Sequence, residues 1–338
     1  YTGRRMNNGT AGGFKFRGGN NTRGYQWPGG QWWYDSGLIV PENEWSYVAM
    51  VVSPTDIKLY LNGVGVTHNV TPSPLDITSM FIGSYQGWGG RNYAGLIDEV
   101  RIWDRSLSQN EIRELRHVTL SQQYLDDDSD LLAYYQFNEI EGNILDRKGI
   151  NHAALAGSAQ RSVSGGPFGK GESDRISIQS AGTYSFANTE SSITFGSVGN
   201  TPDGEVVLSR IHVLPNEMPS SNIDFGSYFV LNSYGSNQTF SAQSLQLKPH
   251  NYLEPSASWQ IPLYTRPENS DATDWSSNCI ADQTLPVGFL FGETCGTGEA
   301  FQLIPMSNQF VSAQIQEEVI SVSVYPNPVA NDGIVTIE

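Results

Sequence analysis

Aromatic rings set among glycines are the residues of this chain best suited to chemistry. Trp27, Trp32, Trp33 and Tyr34 form one group, and Tyr85, Trp88 and Tyr93 a second, with Trp88 inside Gly87-Trp88-Gly89-Gly90-Arg91. A ring with no neighbouring apolar period to bury it offers a flat amphipathic face at low entropic cost, which suits stacking on a sugar or against another protein. Trp32, Trp33, Tyr85, Trp88 and Tyr93 are therefore the candidate ligand-binding residues. The competing use of most tryptophans is to fill the core of a β-sandwich.

Carboxylates come next. Asp126, Asp128 and Asp130 have the alternate spacing of the first ligands of a calcium loop, although Leu131 stands where that loop needs glycine and Phe137 where it needs a bidentate glutamate. Asp98 falls in an alternating stretch, Gly95 to Trp103, on the face shared by Leu96, Val100 and Ile102. A carboxylate in an apolar row needs hydrogen-bond donors or a cation. Asp98, Asp126, Asp128 and Asp130 are thus the candidate Ca2+ ligands, weighed against a structural anchor for Asp98 and a solvated acidic linker for the other three. Glu99 and Glu111 are available to a paired-carboxylate glycosidase, but the E-x-D-x-x-E strand motif is missing. There is no G-x-S-x-G, no H-E-x-x-H and no phosphate-cradling glycine loop, and the five histidines are dispersed. The chain reads as non-enzymatic.

These residues need a scaffold, and the composition indicates which kind. With 35 glycines, 17 prolines and only 16% charged residues in 338, the pattern is one of many short strands joined by turns. A formal charge of −16 opposes nucleic-acid phosphates and anionic lipid, so neither is an expected partner. No apolar run is long enough to span a membrane. Cys279 and Cys295, the only two cysteines, read as one disulfide in an oxidising compartment, worth about 3 kcal/mol for a loop of that size. Two buried thiols are the alternative.

Individual elements follow from local pattern. Trp45 to Val52 is rich in strand formers. Ile57-Lys58-Leu59-Tyr60-Leu61 alternates into Asn62-Gly63, the strongest short-range hairpin signal, with Val64, Val66 and Thr67 beyond. Phe81-Ile82-Gly83 is another short strand. Ser108-Gln109-Asn110-Glu111 is a capping box opening a helix through Leu115.

Glu44-Trp45-Ser46-Tyr47-Val48-Ala49, Ile57 to Gly63, and Gly95 to Ser108 occur in the order and spacing of the laminin-G-like, concanavalin-type jelly roll, which this part of the chain resembles. Pentraxins share the tail of the pattern. The resemblance implies a jelly roll over 1–118 whose opening strands would precede Tyr1, and hence precursor sequence upstream. A second chain or that upstream segment is expected to cover the open sheet edges. The segment 119–172 follows as an acidic junction and lead-in strand. It contains Leu131 to Glu139 and Asp146 to His152, which look like the segment beside laminin-G-like repeats; it either begins a divergent second unit or packs back on the first. Residues 173–316 carry short strands at Tyr184–Phe186, Ile193–Phe195, Glu205–Ile211, Tyr228–Leu231, Ser258–Tyr264, Gly288–Phe291 and Phe301–Ile304, the spacing of a β-sandwich. Finally, 317–338 resembles the start of the C-terminal sorting domain of the bacterial type IX secretion system, on Ser321 to Tyr325 followed by the motif Tyr325, Pro326, Asn327 and Pro328, then Gly333 to Ile337.

The expected fold class is therefore all-β: a concanavalin-like jelly roll, a second β-sandwich and the start of a small C-terminal β-domain. The expected function is that of a secreted bacterial cell-surface protein acting in adhesion or recognition, with the type IX machinery and a glycan or surface protein as partners. The alternatives are a non-catalytic accessory region of a secreted hydrolase and a structural subunit of a surface assembly.

Overall fold

A computed structural model describes residues 2–4, 11–16, 22–26, 34–74, 79–84, 93–196, 201–219, 223–237, 240–252, 260–285, 287–292, 297–298 and 300–307. The chain is nearly all-β, as its composition implies; the described helices are two short ones, Gln109–Glu114 and Gln122–Asp127.

The first unit contains a five-stranded antiparallel sheet in the order Tyr34–Ile39, Thr22–Gln26, Ala11–Phe16, Thr2–Arg4 and Ser79–Phe81. A three-stranded sheet, Val48–Val52, Asp56–Leu61 and Val64–Asn69, packs on it through Ile57 and Leu59, which meet Tyr34 and Leu38. Alternation in Asp56–Leu61 puts Ile57 and Leu59 on that face and Tyr60 on the other, against Val51, Leu107 and Ile112. The two-residue turn closes Leu61 on Val64, with Asn62 and Gly63 both left-handed at φ 50° and 80°, as a hairpin turn matched to strand twist requires. The capping box forms in both directions: Ser108 Oγ accepts the Glu111 N–H at 3.2 Å, and Glu111 Oε2 accepts the Ser108 N–H at 2.8 Å.

Two local readings need correction. The stretch from Gly95 does not run as one strand: only Val100–Trp103 is β. Glu99, at φ 53°, breaks the alternation, so Leu96 and Ile97 are both exposed and Asp98 does not sit in an apolar row. The acidic run is not a linker, because Asp126 and Asp127 close the helix Gln122–Asp127 and Asp128 is its C-cap. One edge of Val100–Trp103 is closed from within the chain. The chain's own strand Leu131–Tyr135 pairs with it, Leu131 opposite Trp103 and Tyr135 opposite Val100.

That strand settles where the lead-in segment belongs: it packs back on the first unit. Leu131 and Tyr134 bury against Leu120, Leu125 and Trp103, while Ala133 and Tyr135 bury against Met80, Ile82, Ile102 and Ile144. Asp146 then ties the following turn down. Its buried carboxylate accepts backbone N–H groups from Tyr134 (3.0 Å), Lys148 (3.0 Å) and Asn151 (3.3 Å), the multiple donation a buried carboxylate needs.

The second unit is a sandwich of two sheets. One runs Gly171–Ser177, Glu205–Ile211, Tyr228–Ser233, Ala300–Ser307, Pro262–Pro267 and Ser276–Ile280, and the other Gly182–Phe186, Ser191–Phe195, Phe240–Leu247, Gly288–Phe291 and Gln283–Leu285. Phe186, Phe195, Phe229, Leu231, Phe289 and Phe291 fill the space between them. The first sheet is buried on its outer face too, where Ile211, Tyr228, Val230, Ile304 and Met306 lie under Met218, Tyr264 and Trp275. Burial on both faces explains why Tyr228–Ser233 reads as a continuous run instead of an alternation. Cys279 lies on Ser276–Ile280 and packs against the inter-sheet core; Cys295, its expected partner, lies outside the described residues. Tyr325, Pro326, Asn327 and Pro328 also lie outside them.

The two units meet through polar contacts. Arg116 is buried and donates to Glu268 Oε1 (2.9 Å), Asn269 Oδ1 (2.8 Å) and the Asn62 carbonyl (3.3 Å). Arg113 pairs with Glu205 at 3.0 Å and lies 4.0 Å over the Tyr234 ring. Gly63 abuts the same ring so closely that a Cβ would stand 2.8 Å from it. Trp45 donates Nε1–H to Asp271 at 2.9 Å and its backbone N–H to the Asn269 carbonyl at 3.2 Å.

Candidate functional site on the first unit

Phe81–Gly83 and Tyr93–Asp98 flank the second aromatic group and include Tyr93, the one expected ligand-binding residue among the described residues. The Tyr93 N–H donates to the Gly83 carbonyl at 2.7 Å, which ties the described residues on either side of 85–92 together. That stretch carries Tyr85 and Trp88, which lie outside the described residues, as do Trp27, Trp32 and Trp33. Tyr93 is described, and 41% of its surface is exposed. Its ring lies over Gly95, where a Cβ would approach ring carbon Cε1 to 2.8 Å. Phe81, Leu96 and Ile97 are also exposed, with Ile97 Cδ1 3.2 Å from where a Gly83 Cβ would be. The aromatic-among-glycine signal singles out Tyr93 but gives no hint of Phe81, Leu96 or Ile97; Leu96 and Ile97 lie just before the left-handed Glu99. Tyr34, read with the first aromatic group, instead opens a strand and stacks on His68 with ring centres 4.0 Å apart.

Asp98 ends the second of these segments. It accepts the Glu99 N–H at 2.8 Å and a hydrogen bond from the Ser164 side chain. Burial outweighs those donors and pushes its carboxyl up to about 6. Its neighbour Glu99 turns inward, ion-paired to Arg101 at 2.9 Å and bonded to the Tyr134 hydroxyl. Arg101 also donates Nη1–H to the carbonyl of Leu115 (2.9 Å) and Nη2–H to that of Val118 (2.7 Å). Glu111 is held by Ser108 and Arg105. Both carboxylates considered for glycosidase chemistry are therefore committed to structural partners.

The four candidate calcium ligands do not converge. Asp126 accepts from Gln122 Nε2 at 2.9 Å, one helical turn back. Asp128 is bound by Arg105 Nη2 (3.2 Å), Trp103 Nε1 (3.3 Å) and the Asp130 N–H (3.0 Å). Arg105 also lies 4.0 Å from Asp130, so a guanidinium already occupies the charge a cation would balance. Asp98 is held elsewhere, by Ser164. Among the described residues no three acidic, histidine or cysteine side chains are grouped to hold a metal. These residues do not fit a calcium site.

A family model described as the concanavalin A-like lectin/glucanases superfamily, Laminin_G_3, matches residues 2–113. The match supports a concanavalin-type jelly roll for the first unit. The match ends within the capped helix, so the strand that pairs with Val100–Trp103 lies beyond it. No curated protein and no solved structure matches the chain. Among the described residues, no helix is long and apolar enough to cross a membrane.

Proposed function

We propose that this chain is the recognition part of a secreted bacterial surface protein, and that its jelly roll binds glycans or a neighbouring surface protein without catalysing a reaction. The observation that carries this reading is the exposure of Tyr93, Phe81, Leu96 and Ile97 on either side of the stretch bearing Tyr85 and Trp88. Exposed aromatic and aliphatic side chains in this region of a lectin-superfamily fold support ligand stacking. A glycan array probed with the purified chain, once with calcium and once with a chelator, tests it. Binding to a defined glycan set that is lost in Tyr93→Ala and Trp88→Ala, with the thermal midpoint unchanged, is the expected result. Equal binding by wild type and both variants would refute the site.

Export by the type IX system rests on Ser321 to Pro328. Deleting everything after Glu318 is expected to leave the two β-units folded and to trap the protein in the periplasm. Normal surface levels of the truncated protein would overturn this part of the reading.

A further inference from the structure

The covalent link between the two units is a strap. From Ala154 to Gly166 the chain forms no helix or strand, and all but Arg161, Gly165 and Gly166 are exposed. The strap is anchored before and after: Ala153 exchanges backbone hydrogen bonds with Ile144 at 2.9 and 2.7 Å, and Gly169 pairs with His117 and Thr119 at 3.1 and 2.8 Å. Between these anchors, residues 160–163 make no backbone–backbone hydrogen bond to any described residue. Ala, Gly and Ser dominate the stretch, and Arg161 is the one lysine or arginine between Lys148 and Lys170. Its half-buried side chain bonds the Gly142 carbonyl and leaves a buried Nε without a partner, so drawing it out for a protease breaks one side-chain hydrogen bond.

We infer that the Arg161–Ser162 bond is a cleavage site for an arginine-specific endopeptidase, and that the cut chain stays assembled. Proteases bind substrate backbone in an extended form, so they select segments that need break few hydrogen bonds to adopt it. The basic residues flanking the strap fail this requirement. The Arg147 N–H bonds the Tyr134 carbonyl at 2.8 Å, the Lys148 N–H bonds Asp146 at 3.0 Å, and the Lys170 carbonyl receives the His212 N–H at 2.7 Å. In the cleavage, water attacks the Arg161 carbonyl carbon and the bond to the Ser162 nitrogen breaks. The water oxygen remains in the new Arg161 carboxylate, and both water protons go to the Ser162 nitrogen, giving an ammonium. The contacts of Arg116 with Glu268, Arg113 with Glu205, Arg175 with Glu114 and Trp45 with Asp271 all bridge the two products.

Limited digestion of the intact chain with trypsin tests both halves of the inference, because trypsin also cuts after the competing lysines and arginines. New N-termini are followed by mass spectrometry. Ser162 is expected to appear at least ten times faster than the termini created after Arg147, Lys148 or Lys170, and Arg161→Gln is expected to abolish the fast cut. The nicked protein should elute as one species in native buffer and separate into 1–161 and 162–338 only on denaturation. Cutting after Lys148 or Lys170 at the same rate would overturn the site. Separation of the fragments in native buffer would overturn the assembly.

Discussion

Replacing Arg116 by methionine probes the junction between the two units most directly. The methylene stem is kept, so the change removes charge and donors rather than packing. Glu268, whose side chain is 16% exposed, would lose the cation 2.9 Å away and retain only the amides of Asn232 and Asn269. Stranding one partner of a buried ion pair costs about 3–5 kcal/mol, and because Glu268 keeps some solvent and two amide donors, about 3 kcal/mol is expected. Urea denaturation followed by both far-ultraviolet circular dichroism and tryptophan fluorescence would read it. Trp45 and Trp103 report on the first unit and Trp275 on the second. The companion Glu268→Gln completes a double-mutant cycle, in which the double variant should fall short of the summed losses by at least about 1 kcal/mol. A loss below about 1 kcal/mol in Arg116→Met, or strict additivity in the cycle, would refute the reasoning.

Asp98 is raised by burial from its ordinary 3.8 to about 6, so the fold favours the protonated form. Its stabilising contribution is complete below the unfolded value and is lost as pH rises through about 6. Asp98→Asn should flatten the stability profile between pH 4 and 6 and gain on the order of 2 kcal/mol at pH 7; a less stable variant at pH 7 would contradict this. His250 stacks on His212 with ring centres 3.6 Å apart, and its imidazole is lowered from the ordinary 6.5 by burial, then by His212 and Arg210. The neutral ring is favoured, so that contribution holds above the unfolded value and is lost as pH falls through the folded one. Its NMR titration midpoint should lie below 6.5 and rise in His212→Ala; a midpoint at or above 6.5 in the parent chain would overturn the assignment. Non-reducing peptide mapping should join Cys279 to Cys295, and replacing both by serine should cost about 3 kcal/mol; recovery of two unlinked thiols would refute the pairing.

Local chemistry made some elements readable in the sequence and hid others. Asn62-Gly63 and the Ser108–Glu111 box are set by residues within four positions of one another, and both form as read. Glu205–Ile211 and Gly288–Phe291 were readable because strand formers are bounded by turn residues. The helix Gln122–Asp127 was masked by its acid-rich end, although Ser121 caps it by accepting the Tyr124 N–H. Gly95 to Trp103 misled because nothing in the pattern announces a left-handed Glu99. Leu131–Tyr135 was legible as a strand, but its partner was not, since pairing with Val100–Trp103 depends on a core assembled from three separate parts of the chain. Within the candidate site, Tyr93 was recognisable by type and setting, whereas the Asp98–Ser164 contact joins residues that no spacing rule connects.

The closing strand has a consequence for the order of synthesis. Val100–Trp103 is made first and waits for a partner that emerges only after both helices, at Leu131–Tyr135. Until then the nascent first unit exposes a strand edge carrying Ile102 and Trp103, the kind of edge that invites pairing with another chain. A ribosome pausing before Leu131 would prolong that exposure, whereas one pausing after Tyr135 would find the unit already closed. Synonymous codon changes on either side of this short strand should therefore alter the yield of soluble protein in opposite directions, without changing a residue.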